Sequence, residues 1–220
     1  METEVKMQVV SLNVGEPTTV EYRGKPLDTG IYKLPVAGPL ALRAGGFAGD
    51  GQADLVNHGG PDKAVCVYPI EHYAYWEEQL GRKLEYSAFG ENITARGLLE
   101  TEVCIGDVYE VGTALLQVSQ PRFPCFKLSQ KHGPADMPAR VLTTGYSGFY
   151  FRVLREGRVA SGDRIVKLES GAGSFPVKQV LYSMEHGRKD HTGLAELAGL
   201  ESLAAGIRER FRGWLEAAEK

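Results

Sequence analysis

Val103-Cys-Ile-Gly-Asp-Val-Tyr-Glu-Val111, Gly112-Thr113 and Ala114-Leu-Leu-Gln-Val-Ser119 form two apolar-rich runs joined by a two-residue turn containing glycine. That pattern reads as a β-hairpin, because a short turn with a glycine brings two alternating runs side by side. The plan repeats outward from there. Residues 19–22 and 26–28 flank Arg23-Gly24-Lys25, and residues 147–154 and 159–168 flank Glu156-Gly157. Residues 6–14 alternate loosely and end at Gly15, and the wholly apolar Val65-Cys-Val-Tyr68 reads as a central strand. Glycine supplies 27 of the 220 residues, above an average of about 7%. They fall between the apolar runs, as turns should. Periods near 2 therefore dominate residues 1–169. One helix interrupts them, over 69–81, where Ile70, Tyr73, Trp76 and Leu80 recur at helical spacing before Gly81. This aromatic stripe reads as core packing.

The pattern changes after Glu169. Ser170-Gly-Ala-Gly-Ser174 is a flexible joint, and three amphipathic helices are expected beyond it. Ser174 would cap the first, which carries Val177, Val180, Leu181 and Met184. Asp190 would cap the second, through Leu194 and Leu197. The third would run over 201–218 with Leu203, Ile207, Phe211, Trp214 and Leu215 on one face. Helices this short must bury their stripes on each other or on a partner. The expected fold is mostly β (α+β), with a β-domain over 1–169 and a C-terminal helical subdomain over 170–220.

Charge and composition exclude several classes. Lys and Arg number 25 against 28 Asp and Glu, a net charge of −3, which gives no general attraction to nucleic acid or acidic membranes. No stretch longer than eleven residues lacks a charged side chain, well short of the ~20 apolar residues of a spanning helix. The opening residues lack the basic-then-apolar plan of a signal peptide. Three cysteines suit a reducing compartment better than a disulfide framework. A soluble cytoplasmic protein is expected.

Dinucleotide-binding, phosphate-loop, zinc-protease and nucleophile-elbow motifs are all missing, and the cysteines form no Cys-x-x-Cys. Three clusters remain. Residues 49–63 are polar and glycine-rich, with His58, Gly59, Gly60, Asp62 and Lys63 leading into the Val65 strand. Adjacent glycines let backbone N–H groups approach an anion or a flat ring. Phe89-Gly-Glu91-Asn92 offers an unusual backbone angle and a two-sided amide. Gln120-Pro-Arg122-Phe-Pro-Cys125-Phe-Lys127 places a thiol in a proline-stiffened basic loop, with four basic residues and one acid over 121–140 and His132 as a further donor. A thiolate in an electropositive setting is both nucleophile and soft metal ligand. Cys66 and Cys104, inside apolar runs, read as structural.

Together these residues resemble the MOSC domain family, named for the C-terminal domain of molybdenum cofactor sulfurases, and within it the stand-alone bacterial YiiM-type branch. The resemblance is carried by Asp50-Gly-Gln-Ala-Asp54-x-x-x-His58-Gly-Gly-x-Asp62-Lys63-Ala-Val65-x-x-Tyr68, Phe89-Gly-Glu-Asn92, Ile105-Gly-Asp107, Gln120-Pro-Arg122-x-Pro-Cys125 and Gly148-Phe-Tyr-Phe-Arg152 with Gly162-Asp163. These lie in order across about 45–166. The resemblance implies a closed, irregular β-barrel presenting the molybdenum-bound pterin cofactor, with a small three-helix subdomain after it. It implies Cys125 as molybdenum ligand and catalytic residue. Arg122, Lys63 and His58 would anchor the cofactor phosphate. Asn92 and the Gly59-Gly60 backbone would hydrogen-bond the pterin, and Glu91 or Asp62 would relay protons.

The implied activity is reduction of N-hydroxylated compounds such as 6-hydroxylaminopurine to amines, which removes toxic base analogues. No flavin or nicotinamide motif is present, so a separate flavoprotein reductase is the expected electron donor. A homodimer and a small-molecule substrate complete the expected partners, with neither nucleic acid nor membrane among them. The alternatives are a persulfide sulfur-transfer enzyme using Cys125, and a non-catalytic cofactor carrier.

Overall fold

The computed structural model describes residues 7–55 and 59–219. Its strands are β1 (Gln8–Val14), β2 (Thr18–Tyr22), β3 (Lys25–Thr29), β4 (Leu34–Pro35), β5 (Leu40–Arg43), β6 (Gly46–Phe47), β7 (Val65–Pro69), β8 (Ile93–Arg96), β9 (Val108–Val111), β10 (Ala114–Pro121), β11 (Phe149–Arg155), β12 (Gly157–Val159) and β13 (Ile165–Glu169). The helices are α1 (Tyr73–Leu80), α2 (Lys127–His132), α3 (Met137–Thr144), α4 (Val177–His186), α5 (Leu194–Gly199) and α6 (Ala205–Ala218). Eight strands make the main sheet, in the order β13-β9-β10-β11-β7-β8-β1-β4. The fold is mixed α+β, dominated by this curled sheet.

Local turn chemistry accounts for two hairpins. Arg23 and Gly24 both adopt positive φ, 54° and 74°, between β2 and β3, the turn geometry that matches strand twist. Gly112, at φ 59°, joins β9 to β10. A Cβ there would come within 2.2 Å of the Arg158 carbonyl oxygen. The segment 103–107 does not extend β9 as the alternation suggests. The buried Asp107 carboxylate folds it into a turn by accepting bonds from Cys104 N, Gly171 N and Lys167 Nζ, each at 2.8–2.9 Å.

The third expected hairpin does not form. β12 leaves the main sheet to pair with β5, while β13 pairs with β9. Contacts distant in sequence direct this: Glu156 accepts from the Ala44 N–H at 2.9 Å, and Arg158 donates to the Pro39 carbonyl at 3.2 Å.

The expected closed barrel is also corrected. The sheet is open, with β13 and β4 at its edges. It curls far enough for residues 162–165 to reach β1 through Val9 N to Asp163 O (2.9 Å), Gly162 N to Val9 O (2.8 Å) and Ile165 N to Met7 O (3.0 Å). Among the described residues one bridge, Gln8 to Arg164, forms there. The other end of this β1 edge is taken by β4, and β13 continues along β9. Among the described residues no continuous ladder joins β13 to β1.

β7 is buried at all five positions, between antiparallel β11 and parallel β8. It is the central strand that its apolar run suggests. On one side Val67, Leu116, Phe149 and Phe151 pack in a single cluster with Val180, Leu197, Leu203 and Phe211. The C-terminal helices thus bury their stripes in the core of the sheet and do not stand apart from it. Ser174 caps none of them: α4 follows Pro176 with no side-chain cap. On the other side Trp76 of α1 donates to Tyr68 Oη at 2.6 Å, and Tyr68 stacks on Phe89 with centroids 4.1 Å apart. The aromatic stripe is core, as expected. This second cluster also takes in Leu128 of α2 and Val141 of α3, two helices within what reads in sequence only as a basic loop. No helix among the described residues is long and apolar enough to cross a membrane.

Candidate active site

β10 ends at Pro121, and the chain turns across the mouth of the sheet before entering α2. The Arg122 N–H donates to the Gly148 carbonyl at 3.1 Å, fixing the start of the turn. Cys125 closes it by accepting the Leu128 N–H at 3.1 Å on its carbonyl oxygen. Its side chain is half-buried. Two cavities meet there. The inner one, about 80 Å³, is lined by Lys33, Asp50, Cys66, Asn92, Arg122 and Cys125 among others. The outer one, about 540 Å³, runs between Gly59–Lys63, Cys125 and the start of α6. Lys63, Phe123, Cys125, Lys127 and Tyr150 line both.

Arg122 gives the inner cavity its electrostatic character. It is 8% exposed. Nη2 donates to the Phe89 carbonyl at 2.6 Å, but Nη1 is buried without a hydrogen-bond partner. Burial acts to weaken this cation, yet the ionised forms of the surrounding Cys66, Tyr150, Cys125 and Glu91 outweigh it and raise its pKa. A buried cation with an open donor calls for an anion. Cys66 also lines this cavity, but burial pushes its thiol up to about 11, so it stays protonated. The structural reading of Cys66 stands, with the addition that it forms a wall.

The other expected site residues divide by what their side chains already do. Gly59, Gly60, Asp62 and Lys63 line the outer cavity. Gly60 has φ 94°, and a Cβ on Gly59 would fall 2.6 Å from the Leu55 carbonyl oxygen, so this loop needs both glycines. Asp62 receives Nε and Nη2 of Arg152 on β11, at 2.9 and 2.8 Å, which pins the loop to the sheet. Burial lowers the Lys63 pKa and the nearby Arg210 adds to that, while Asp62 and Asp54 oppose it. Asn92 lines the inner cavity, but its amide serves the framework. Oδ1 accepts the Cys66 N–H at 3.0 Å, and Nδ2 donates to Asp50 at 2.9 Å and to the Asn13 carbonyl at 3.3 Å. Asp50 in turn pairs with Lys33. Glu91 is fully buried and lines neither cavity. Its carboxylate accepts from Tyr73 Oη, the Phe89 N–H and Thr94 Oγ1. These acceptor bonds fix the 89–92 turn and leave Glu91 enclosed. His58 lies outside the described residues.

His132, counted in sequence as a possible donor, is enclosed as well. Its Nδ1 faces Arg82 Nη2 at 3.0 Å and its Nε2 the Ala88 carbonyl at 2.9 Å. The arginine must donate and the carbonyl must accept, so the ring is neutral with its proton on Nε2. Burial, opposed only by the Ala88 contact, drives its pKa down to about 4. Between the ordinary value of 6.5 and about 4, the unfolded chain takes a proton that the folded one refuses. Stability is therefore complete above pH 6.5 and is lost as pH falls toward 4. Urea titrations are expected to show a loss of about 2 kcal/mol from this group between pH 7 and 5. His132→Gln should remove that share.

Lys131 ties the rim of the inner cavity. Its Nζ donates to the carbonyls of Ile31 (3.1 Å) and Ser87 (2.5 Å), and burial lowers its pKa to about 8. Ile31 packs on Gly90, where a Cβ would sit 2.8 Å from its side chain. Lys131→Met is expected to speed amide exchange in residues 29–33 and 87–90 about tenfold, while β7 stays protected. Unchanged exchange would remove Lys131 from the rim.

Sequence reading missed Lys127, Tyr150 and Arg210 as cavity-lining groups. Lys127 and Tyr150 lay inside motifs already singled out but were given no role. Arg210 gave no signal, being one charge on a helical tail whose seven acids balance seven bases.

A family model described as MOSC domain matches residues 54–166. The chain is 50% identical to the uncharacterised protein YflK of Bacillus subtilis, over 94% of this chain and 93% of that one. The chain belongs to the MOSC domain family. The crystal structure of YiiM from Geobacillus stearothermophilus superposes with a TM-score of 0.82 at 43% identity, covering 95% of this chain and 99% of that one. A reductase of Gibberella moniliformis is 37% identical over 66% of this chain, a match spanning 27% of its own length. MOSC domains are associated with binding of the molybdenum cofactor, and the features of this site fit such a group. The unpartnered Nη1 of Arg122 can donate to an anion, and among the described residues the inner cavity sets Lys33, Lys63, Arg122 and Lys127 against the single acid Asp50. Cys125 offers a soft ligand between the two cavities. No group of three or more His, Cys, Asp or Glu among the described residues is arranged to hold a metal ion, so Cys125 would act with the ligands of the cofactor itself.

Proposed function

We propose that this MOSC protein is a molybdenum-cofactor-dependent reductase that converts N-hydroxylated compounds, such as 6-hydroxylaminopurine, to amines. The observation that carries this reading is the position of Cys125, at the junction of an inner cavity with an unpaired buried arginine and an outer cavity of about 540 Å³. Cavities of that larger size take small organic substrates. The likeness to a reductase supports the redox class.

When bound, the cofactor supplies two-electron chemistry at its metal: R–NHOH plus two protons and two electrons gives R–NH2 plus water. Everything else falls to the chain. Arg122 Nη1 would hold the cofactor phosphate in the inner cavity, and Lys127 and Lys63 would add positive charge along both cavities. The Gly59-Gly60 backbone leaves one wall of the outer cavity free of side chains, where a flat substrate ring would fit. Cys125, which lines both cavities, would supply the sulfur ligand to the metal. Lys63, whose pKa is lowered by burial, holds a proton at Nζ beside the outer cavity and passes it to the departing oxygen. The electrons come from a separate flavoprotein reductase.

Elemental analysis of protein from a host that makes the cofactor tests this reading. Near-equimolar molybdenum with reduction of 6-hydroxylaminopurine is expected. Metal without turnover would indicate a carrier, and cyanide-labile sulfur without metal would indicate sulfur transfer through Cys125.

A further inference from the structure

We propose that α6 carries a substrate-recognition site in which Arg210 binds an anionic group, so that the preferred substrate is a phosphate-bearing N-hydroxylated base and not the free base. This rests on the reductase reading and adds to it the substrate class.

The outer cavity is not built by the segment that the family model matches alone. Ala204, Gly206, Ile207 and Arg210 form one wall, beyond residue 166 where that match ends. The helix is held there by its own core residues: Ile207 and Phe211 are buried, and the Ala204 N–H donates to the Ser119 carbonyl on β10 at 3.0 Å. Arg210 therefore stands on a fixed helix next to the chemistry. Its charge is close enough to Lys63 to bear on that side chain.

The charges lining this cavity are unbalanced. Lys63, Lys127 and Arg210 face Asp54 and Asp62, and Asp62 is already neutralised by Arg152. Cations remain in excess in a space that reaches Cys125. The inner cavity has its own separate anchor for an anion in Arg122, which does not line the outer one, while Arg210 does not line the inner one. Each cavity thus has an arginine that the other lacks, and Cys125 lines both. A cofactor phosphate would take the inner cavity, which leaves the outer one to a second anion brought by the substrate. Phosphate suits an arginine fork by charge and geometry. At about 540 Å³ the cavity has room for a base with its sugar and phosphate.

Calorimetric titration of molybdenum-loaded protein with adenosine 5′-monophosphate and with adenosine, neither of them reducible, tests the proposal. The monophosphate is expected to bind at least about tenfold more tightly, the equivalent of one charge-assisted contact. Arg210→Gln and Arg210→Glu should bring the ratio close to one. Arg188→Gln, which removes a charge stacked over Trp214, should leave it intact. Equal binding of the two ligands by wild type, or an unchanged ratio in both Arg210 variants, would overturn the site. A fall in molybdenum content in those variants would show that Arg210 serves the cofactor phosphate, and would also overturn it. A retained preference for the monophosphate without turnover of any N-hydroxylated compound would remove the reductase reading and support the anion site.

Discussion

Cys125→Ser is expected to abolish molybdenum-dependent reduction, by at least about a thousandfold in turnover, while thermal unfolding stays close to wild type. The two halves of this expectation have different origins. The Cys125 backbone is held by the Leu128 N–H and the turn that starts α2, and neither contact involves the sulfur. Its side chain is half-buried and open to both cavities, so exchanging sulfur for oxygen disturbs little packing. A serine oxygen is a hard donor, whereas the cysteine sulfur is a soft one and suits the metal. The loss should therefore appear in turnover and metal ligation, and not in the fold. Near-wild-type turnover in Cys125→Ser would remove the residue from the chemistry. The same substitution at Cys66, whose thiol is kept neutral by burial, should leave most of the activity in place.

Arg122→Met is expected to cost the protein its cofactor. One charge-assisted contact to phosphate is worth about 1.5–3 kcal/mol, or roughly ten- to hundredfold in affinity. The guanidinium also donates to the Phe89 carbonyl at 2.6 Å, so the variant loosens the 89–92 turn as well. The cofactor-free protein pulls in opposite directions, since the wild type keeps an unpaired Nη1 buried and methionine relieves that burden. A large fall in molybdenum content with little change in the stability of the cofactor-free protein is thus the specific signature. Undiminished metal content in Arg122→Met would show that the phosphate is held elsewhere. Parallel collapse of metal content and stability would make Arg122 a structural residue.

The sequence disclosed most where its instructions were local. Arg23-Gly24 and Gly112-Thr113 carry their own turn chemistry, and both hairpins formed around them. The Val65 run was legible because no strand with water on one face is apolar at every position. The hairpin expected around Glu156-Gly157 failed because Glu156 and Arg158 answer to Ala44 and Pro39, contacts more than a hundred residues away in sequence. The closed barrel was implied by the family resemblance and by no period in the chain, and β4, a two-residue strand, takes the end of the β1 edge instead. α2 and α3 are only six and eight residues long, too short for a helical repeat to stand out from the basic motif before them.

At the candidate site the motifs located the cavity walls better than they assigned the roles. Arg122, Lys63, Gly59, Gly60, Asp62 and Cys125 all reach the two cavities. Glu91 and Asn92 belong to the same motifs but build the framework: one fixes the turn after Phe89, and the other joins β7 to Asp50. A sequence shows that a polar residue is present, and only geometry shows whether its acceptors and donors are already taken. Arg210 was out of reach entirely. Nothing in its neighbourhood of the chain refers to Cys125, and only the packing of α6 onto β10 brings it to the outer cavity.

The most direct test of the account is a single-turnover titration. Metal-loaded protein, chemically reduced and freed of excess reductant, is mixed with 6-hydroxylaminopurine, and the adenine formed is counted against bound molybdenum. One adenine per metal atom, with none from Cys125→Ser protein, is the predicted result. Adenine formed equally well without molybdenum, or none formed by fully loaded wild-type protein from either the free base or its 5′-phosphorylated nucleoside, would contradict it.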